Sequence, residues 1–167
     1  MATGTLVSVE EYLSTSYRPD REYIDGVLLE RNLGEYDHSN MQRILGGYFY
    51  VHREWKVQAL PEQRVQVKPT RFRVPDLCIV FEPGPFEQIF RTPPFICIEI
   101  LSKDDTVEGM QDRIDDYLAF GVPYVWVISA RTRRAWVHTS KGATEVKDGI
   151  LRTENPEIRV PLFELFT

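Results

Sequence analysis

Pro75-Asp76-Leu77-Cys78-Ile79-Val80-Phe81 and, after a proline- and glycine-punctuated connection, Phe95-Ile96-Cys97-Ile98-Glu99-Ile100-Leu101 are the two segments from which the fold can be read. Both are short, nearly continuous apolar runs bounded by prolines, the pattern of strands buried on both faces of a sheet. Two acids stand against that pattern, Asp76 opening the first run and Glu99 interrupting the second. An ionised carboxylate left unpaired in such a run costs several kcal/mol, so Glu99 needs a cation or a proton donor beside it. An antiparallel pairing that sets Asp76 opposite Glu99 also sets Cys78 opposite Cys97, and residues two apart on a strand share a face. Two like charges so placed repel unless a metal ion or a basic group lies between them. Oxygen donors without clustered His or Cys favour magnesium or manganese over zinc. The competing structural account has Asp76 capping a turn and Glu99 paired with an arginine.

The flanking sequence supplies the rest of an α/β (α+β) domain: a central mixed sheet flanked by helices, with an N-terminal helix and hairpin. Ser8 and Glu11 form a capping box for a first helix running to about Tyr17, and Pro19 ends it. Glu22-Tyr23-Ile24 and Val27-Leu28-Leu29 flank Asp25-Gly26, a tight hairpin turn. Met41, Ile44, Leu45, Tyr48 and His52 recur at helical spacing, and the alternation within 57–68 predicts a half-buried strand pairing with the next one. Asp105 is the expected N-cap of a helix carrying Met110, Ile114, Tyr117 and Leu118, closed by Gly121 and Pro123. Gly109, Arg113 and Tyr117 share a stripe on that helix, from which the Arg113 guanidinium could reach a phosphate or Glu99, or instead pair with Asp116 or Glu108. Beyond it come a strand over 124–128, a return strand over 135–138, a turn at Lys147-Asp148-Gly149 and a short C-terminal cap.

At 167 residues and 43% hydrophobic content, residues 1–167 fit one domain with one core. No run approaches a membrane span, the first residues lack a signal-peptide pattern, and Cys78 and Cys97 read as core residues in a reducing compartment, so the expected location is cytoplasmic. The net charge of -5 gives no overall footprint for nucleic acid. Residues 43–73, however, hold Arg43, Arg53, Lys56, Arg64, Lys68, Arg71 and Arg73 against only Glu54 and Glu62, a candidate phosphate-facing surface or simply a solvated basic face.

Taken together, Pro75-Asp76, the 22 residues before Glu99-Ile100-Leu101-Ser102, the segment Arg113-Ile114-Asp115-Asp116-Tyr117 and Gly121-Val122-Pro123-Tyr124-Val125-Trp126 closely resemble the bacterial Uma-type putative restriction endonucleases of the PD-(D/E)XK nuclease superfamily. Glu22-Tyr23-Ile24-Asp25-Gly26 and Asp37-His38-Ser39 extend the resemblance over nearly the whole chain. It implies a restriction-endonuclease-like fold in which Asp76, Glu99 and the main-chain carbonyl of Ile100 hold Mg²⁺ or Mn²⁺. It also implies Glu22 as a further acid near the metal and His38 as a site residue. One position departs from the superfamily: its lysine, two residues after the second acid, is Leu101 here, and the family resemblance moves the basic role to Arg113. Arginine can stabilise a charged phosphate but stays protonated and cannot act as a general base.

The leading expectation is a metal-dependent endonuclease hydrolysing DNA, with RNA an open alternative, no membrane partner, and a homodimer for double-strand cleavage. The second is a catalytically weakened nuclease-fold protein that binds nucleic acid without turnover. A third is an interaction protein using surface aromatics such as Trp126 and Trp136.

Overall fold

In the computed structural model, which describes residues 5–32 and 34–166, helix α1 (Val9–Ser14) leads into the hairpin β1 (Arg21–Ile24) and β2 (Val27–Glu30). The opening Met1 to Gly4, part of the segment expected to lack a signal peptide, lies outside the described residues. Helix α2 (Tyr36–Val51) follows, then β3 (Val57–Pro61), β4 (Val65–Lys68), β5 (Arg71–Arg73), β6 (Leu77–Phe81) and β7 (Ile96–Ile100). Helix α3 (Val107–Phe120) connects to β8 (Tyr124–Ser129), β9 (Arg134–Thr139) and β10 (Gly142–Glu145), and the chain closes with β11 (Ile150–Arg152), β12 (Arg159–Pro161) and α4 (Leu162–Leu165).

The two proline-bounded runs are adjacent antiparallel strands in the expected register, Cys78 opposite Cys97 and Leu77 opposite Ile98. They lie inside a six-stranded sheet of order β10-β9-β8-β7-β6-β3. The sheet is mixed because β7 and β8 run parallel, joined by α3, while its other neighbours are antiparallel. Strand alternation sorts the core into two layers. Ile79, Ile96, Ile98, Trp126 and Ile128 face Met41, Leu45 and Phe49 of α2. Cys78, Cys97, Val125 and Val127 face Met110, Ile114 and Tyr117 of α3. Glu99 is two residues from Cys97, so its side chain belongs to the α3 side.

A second sheet, ordered β2-β1-β5-β4, carries the hairpin. Tyr12 of α1 packs there with Tyr23 and Phe72, ring centroids 5.0 and 5.2 Å away. The Asp25-Gly26 turn is realised with both residues at positive φ, 50° and 93°.

Five expectations are corrected. The first helix stops at Ser14 because Thr15 is extended. Residues 57–68 are two strands, not one: Glu62 turns at positive φ, sending β3 to the large sheet beside β6 and β4 to the small sheet beside β5. The N-cap of α3 is Thr106, whose hydroxyl accepts from the Gly109 amide at 3.0 Å, while Asp105 accepts from the Ser102 amide at 2.8 Å. The basic run 43–73 is not a continuous phosphate-facing surface. Its residues diverge with β3 and β4, Arg64 lies 4.9 Å over the Tyr12 ring, and Arg73 is 2% exposed among acids. Trp126 is fully buried and offers no surface aromatic; Trp136 is partly exposed. Among the described residues, no helix is long and apolar enough to cross a membrane.

Candidate active site

Asp76 immediately precedes β6 and Glu99 lies near the end of its antiparallel neighbour, so the sheet brings both acids to one edge. Asp76 is bound into that edge: its Oδ2 accepts from the Ile100 amide at 2.7 Å. Its Oδ1 meets Arg31 at 3.2 Å and His38 Nε2 at 3.1 Å, which brings the start of α2 and the end of the hairpin to the same point. The hydrogen bond to Asp76 stabilises the protonated imidazole and raises the His38 pKa, outweighing partial burial.

Glu99 accepts from the Tyr117 hydroxyl at 2.5 Å and faces Arg113 at 3.7 Å. Helical spacing aims both partners, since Arg113 and Tyr117 lie one turn apart on α3. Arg113 also reaches Glu22 at 3.5 Å and Asp105 at 3.4 Å; burial alone would favour losing its proton, but the acids around it, Glu99 foremost and then Glu22 and Asp105, raise its pKa. Glu22 is buried and turned to arginines: it meets Arg73 at 2.9 Å and accepts from the Val74 amide at 3.0 Å.

Burial, followed by the negative charge of Asp76, pushes Glu99 up to about 8, only partly offset by Arg113. Without a cation, the site at neutral pH therefore pairs the Asp76 carboxyl with a Glu99 that keeps its proton. The folded protein holds that proton more tightly than the unfolded chain, where the group titrates near 4.5. The stability contributed by this difference is complete below about pH 4.5 and is lost as the pH rises towards 8. Glu99→Gln stays neutral throughout. In EDTA, urea unfolding is expected to find the variant gaining on the wild type across that window by a few kcal/mol at its upper end; parallel stability curves would refute a buried, protonated Glu99.

Between the acids lies a cavity of about 20 Å³, lined among others by Arg31, His38, Asp76, Glu99, Ile100 and Arg113. That volume suits one water-sized occupant or ion. Among the described residues, no three His, Cys, Asp or Glu side chains form a metal cluster. Two carboxylates with a main-chain oxygen, completed by water, nevertheless form a donor set of the hard, oxygen-only kind that magnesium accepts. A divalent cation fits the acid pair because it would offset both the burial and the Asp76 charge that raise the Glu99 pKa.

Of the five side chains singled out from sequence, Asp76 and His38 form one paired group and Glu99, Arg113 and Glu22 another, and the two groups face each other across the cavity that His38, Asp76, Glu99 and Arg113 line. Sequence inspection missed Arg31, Asn32 and Asp105. Asn32 donates to Ser102 at 2.6 Å and to Asp105 at 3.2 Å, tying the hairpin exit to the loop before α3. No periodicity marks Arg31 or Asn32; only the tertiary approach of the hairpin does. Tyr117 did carry a signal, its place on the Arg113 stripe.

Over residues 9–166 the chain matches the family model Uma2, described as "Putative restriction endonuclease". The chain belongs to this family. The Uma2 assignment agrees with the likeness of its fold to a crystal structure from Anabaena variabilis, described as a putative nuclease belonging to DUF820. The two share 21% sequence identity with a TM-score of 0.81, over 96% of this chain and 97% of that one. No curated protein matches the chain significantly. The restriction-endonuclease-like architecture expected for a Uma2 member is therefore present, and its β6–β7 edge is where the acid pair sits.

Proposed function

We propose that this chain is a divalent-metal-dependent nuclease that hydrolyses phosphodiester bonds, with DNA as the first substrate to test. The observation that carries this reading is the Asp76–Glu99 edge, where two buried acids and the Ile100 backbone surround a cavity the size of one ion. Asp76, Glu99 and the Ile100 carbonyl would hold Mg²⁺ or Mn²⁺. Bound there, the cation would supply Lewis-acid polarisation of a phosphoryl oxygen and lower the pKa of a coordinated water.

The chain's own groups account for the remainder. Ile100 N–H orients Asp76, Tyr117 orients Glu99, and Glu22 with Asp105 holds Arg113 beside the cavity. Arg113 stays cationic and can stabilise charge building on a phosphate, but it cannot take a proton from water. His38 sits on the Asp76 side, where its imidazole can hold or pass a proton. A homodimer would place two such sites on opposite strands of a duplex.

The test is incubation of the purified chain with supercoiled plasmid, linear duplex, single-stranded DNA and RNA, with and without Mn²⁺ or Mg²⁺. Metal-dependent cleavage lost in Asp76→Asn supports the proposal; cleavage indifferent to Asp76 and Glu99 overturns it. The binding-without-turnover reading is favoured by one observation, that Arg113 is already engaged by three acidic side chains, Glu22, Glu99 and Asp105. Nucleic-acid binding without metal uptake or cleavage would select it.

Arg113 offers a graded check. Arg113→Lys keeps the charge and is expected to retain part of the activity, whereas Arg113→Ala should lower kcat by roughly a hundredfold or more. A value of kcat unchanged in Arg113→Ala would remove the residue from the mechanism.

A further inference from the structure

Beside the acid pair opens a groove of about 540 Å³, far larger than the cavity between the carboxylates. The two spaces share His38, Ser102 and Asp105, so whatever fills the groove adjoins whatever the acids hold. The groove's walls are mostly apolar: Leu101, Met110, Ile114, Val127 and Trp136. Leu101 stands where the superfamily resemblance would place a lysine, so the apolar wall begins next to the acids instead of a charge.

Trp136 lies on β9 directly opposite Val127 of β8, with its indole partly exposed and the Arg134 guanidinium 5.1 Å from its ring. His138 is two residues further along, on the same face of β9. Partial burial lowers its pKa and favours the neutral imidazole, which has one donor and one acceptor nitrogen. Gln111 and Ser129 add hydrogen-bonding groups at the groove's edge.

The charges around the groove argue against a phosphate track along its floor. Glu35, Asp37 and Asp105 contribute carboxylates against Lys103, tied to Glu35 at 2.5 Å, and Arg131, so the lining holds no surplus of lysine and arginine over acids. An apolar, aromatic space with scattered amide, hydroxyl and imidazole groups matches a planar heterocycle instead. A base lies only one sugar away from its phosphate, so a phosphate held at the acids brings its own base within reach of this groove. In an intact duplex that base is stacked and paired, and has to be unpaired before it can enter such a pocket.

We propose that the groove takes an unpaired nucleobase adjoining the scissile phosphate, making single-stranded or locally opened nucleic acid the substrate class. The proposal rests on the nuclease reading above for the position of the phosphate, but base binding can be measured without cleavage. A short fluorescein-labelled single strand, in deoxyribo and ribo forms, is titrated with the full-length chain in EDTA at low salt. The comparison strands are one whose central nucleotides are abasic and the same sequence as a duplex.

The base-bearing strand is expected to bind roughly ten- to a hundredfold more tightly than its abasic analogue, the range for stacking on an aromatic side chain. Trp136→Ala should erase most of that difference and Trp136→Phe should keep much of it. His138→Ala is a second variant on the same wall should Trp136→Ala fail to fold by circular dichroism. Equal binding of the abasic strand, tighter binding of the duplex, or a difference untouched by both wall variants overturns the proposal. So does a dimer in sedimentation that Trp136→Ala dissociates without base-dependent binding, which would make the groove a contact between copies. The deoxyribo and ribo arms identify which sugar the groove accepts. Base-dependent binding without any metal-dependent cleavage would defeat the nuclease reading alone; Asp76-dependent cleavage with base-independent binding would defeat the groove alone.

Discussion

Asp76→Asn and Glu99→Gln are each expected to lower metal-dependent cleavage by at least about a thousandfold, because each removes a charged oxygen ligand from a site whose cation would supply several kcal/mol of transition-state stabilisation. Asparagine is close to isosteric with aspartate and its side-chain oxygen can still accept from the Ile100 amide, so Asp76→Asn should keep that bond while turning its NH2 group towards Arg31 and His38. Glutamine at 99 likewise keeps an acceptor for the Tyr117 hydroxyl. The double variant should be little worse than either single one, since residues acting on one metal act as a unit. A thermal-shift series adds a readout that does not depend on turnover. Mn²⁺ should raise the melting temperature of the wild type in proportion to its binding and leave both variants nearly unmoved. Wild-type and variant curves that move together would place the metal elsewhere or nowhere.

Arg73→Ala is expected to cost roughly 3–5 kcal/mol, the penalty for removing one partner of a buried ion network. Arg73 is 2% exposed and satisfies Asp116 at 2.8 Å, Glu22 at 2.9 Å and Asp112 at 2.5 Å. Glu22 and Asp116 are themselves buried, so the alanine variant leaves two carboxylates without their main counter-charge. For a chain of this size such a loss corresponds to a melting temperature lower by roughly 10–15 °C. Adding Glu22→Gln should recover part of the loss by removing one uncompensated charge. Arg71 is the useful contrast. It pairs with Asp25 at 2.8 Å and Asp116 at 3.0 Å but is more exposed, and its removal should cost clearly less. Equal melting temperatures for Arg73→Ala and the wild type would mean that the network contributes nothing net. Because Glu22 also touches Arg113, the same variant is expected to disturb the active site, linking the small sheet to the chemistry.

These expected effects trace back unevenly to the sequence. The buried strand pair was legible because proline-bounded apolar runs have few other readings, and its register followed from requiring two acids and two cysteines to face each other. The hairpin was legible from Asp25-Gly26, whose positive φ values few other dipeptides adopt comfortably. The break at Glu62 was not: its positive φ carries no side-chain signature, so β3 and β4 looked like one strand. The basic run looked like a surface for the same reason, since charge counted along the chain says nothing about which sheet each residue joins. The cap of α3 slipped by one residue because Asp105 and Thr106 are both good caps, and only Asp105's bonds to the Ser102 loop, Asn32 and Arg113 decide between them.

By itself, then, the sequence determined that a sheet with two doubly buried strands would form and that Asp76 and Glu99 would need a cation or a proton there. The reason is local: burial of an apolar run is cheap, burial of a carboxylate is not, and strand alternation assigns faces without any knowledge of the fold. What surrounds those acids was decided only by tertiary structure. Arg31 and His38 arrive from before and within α2, Arg113 and Tyr117 from α3, Glu22 through the small sheet, and the groove at Trp136 from β9. These contacts join residues tens of positions apart, and their meeting depends on how two sheets pack against one helix, a property carried by no single segment of the chain.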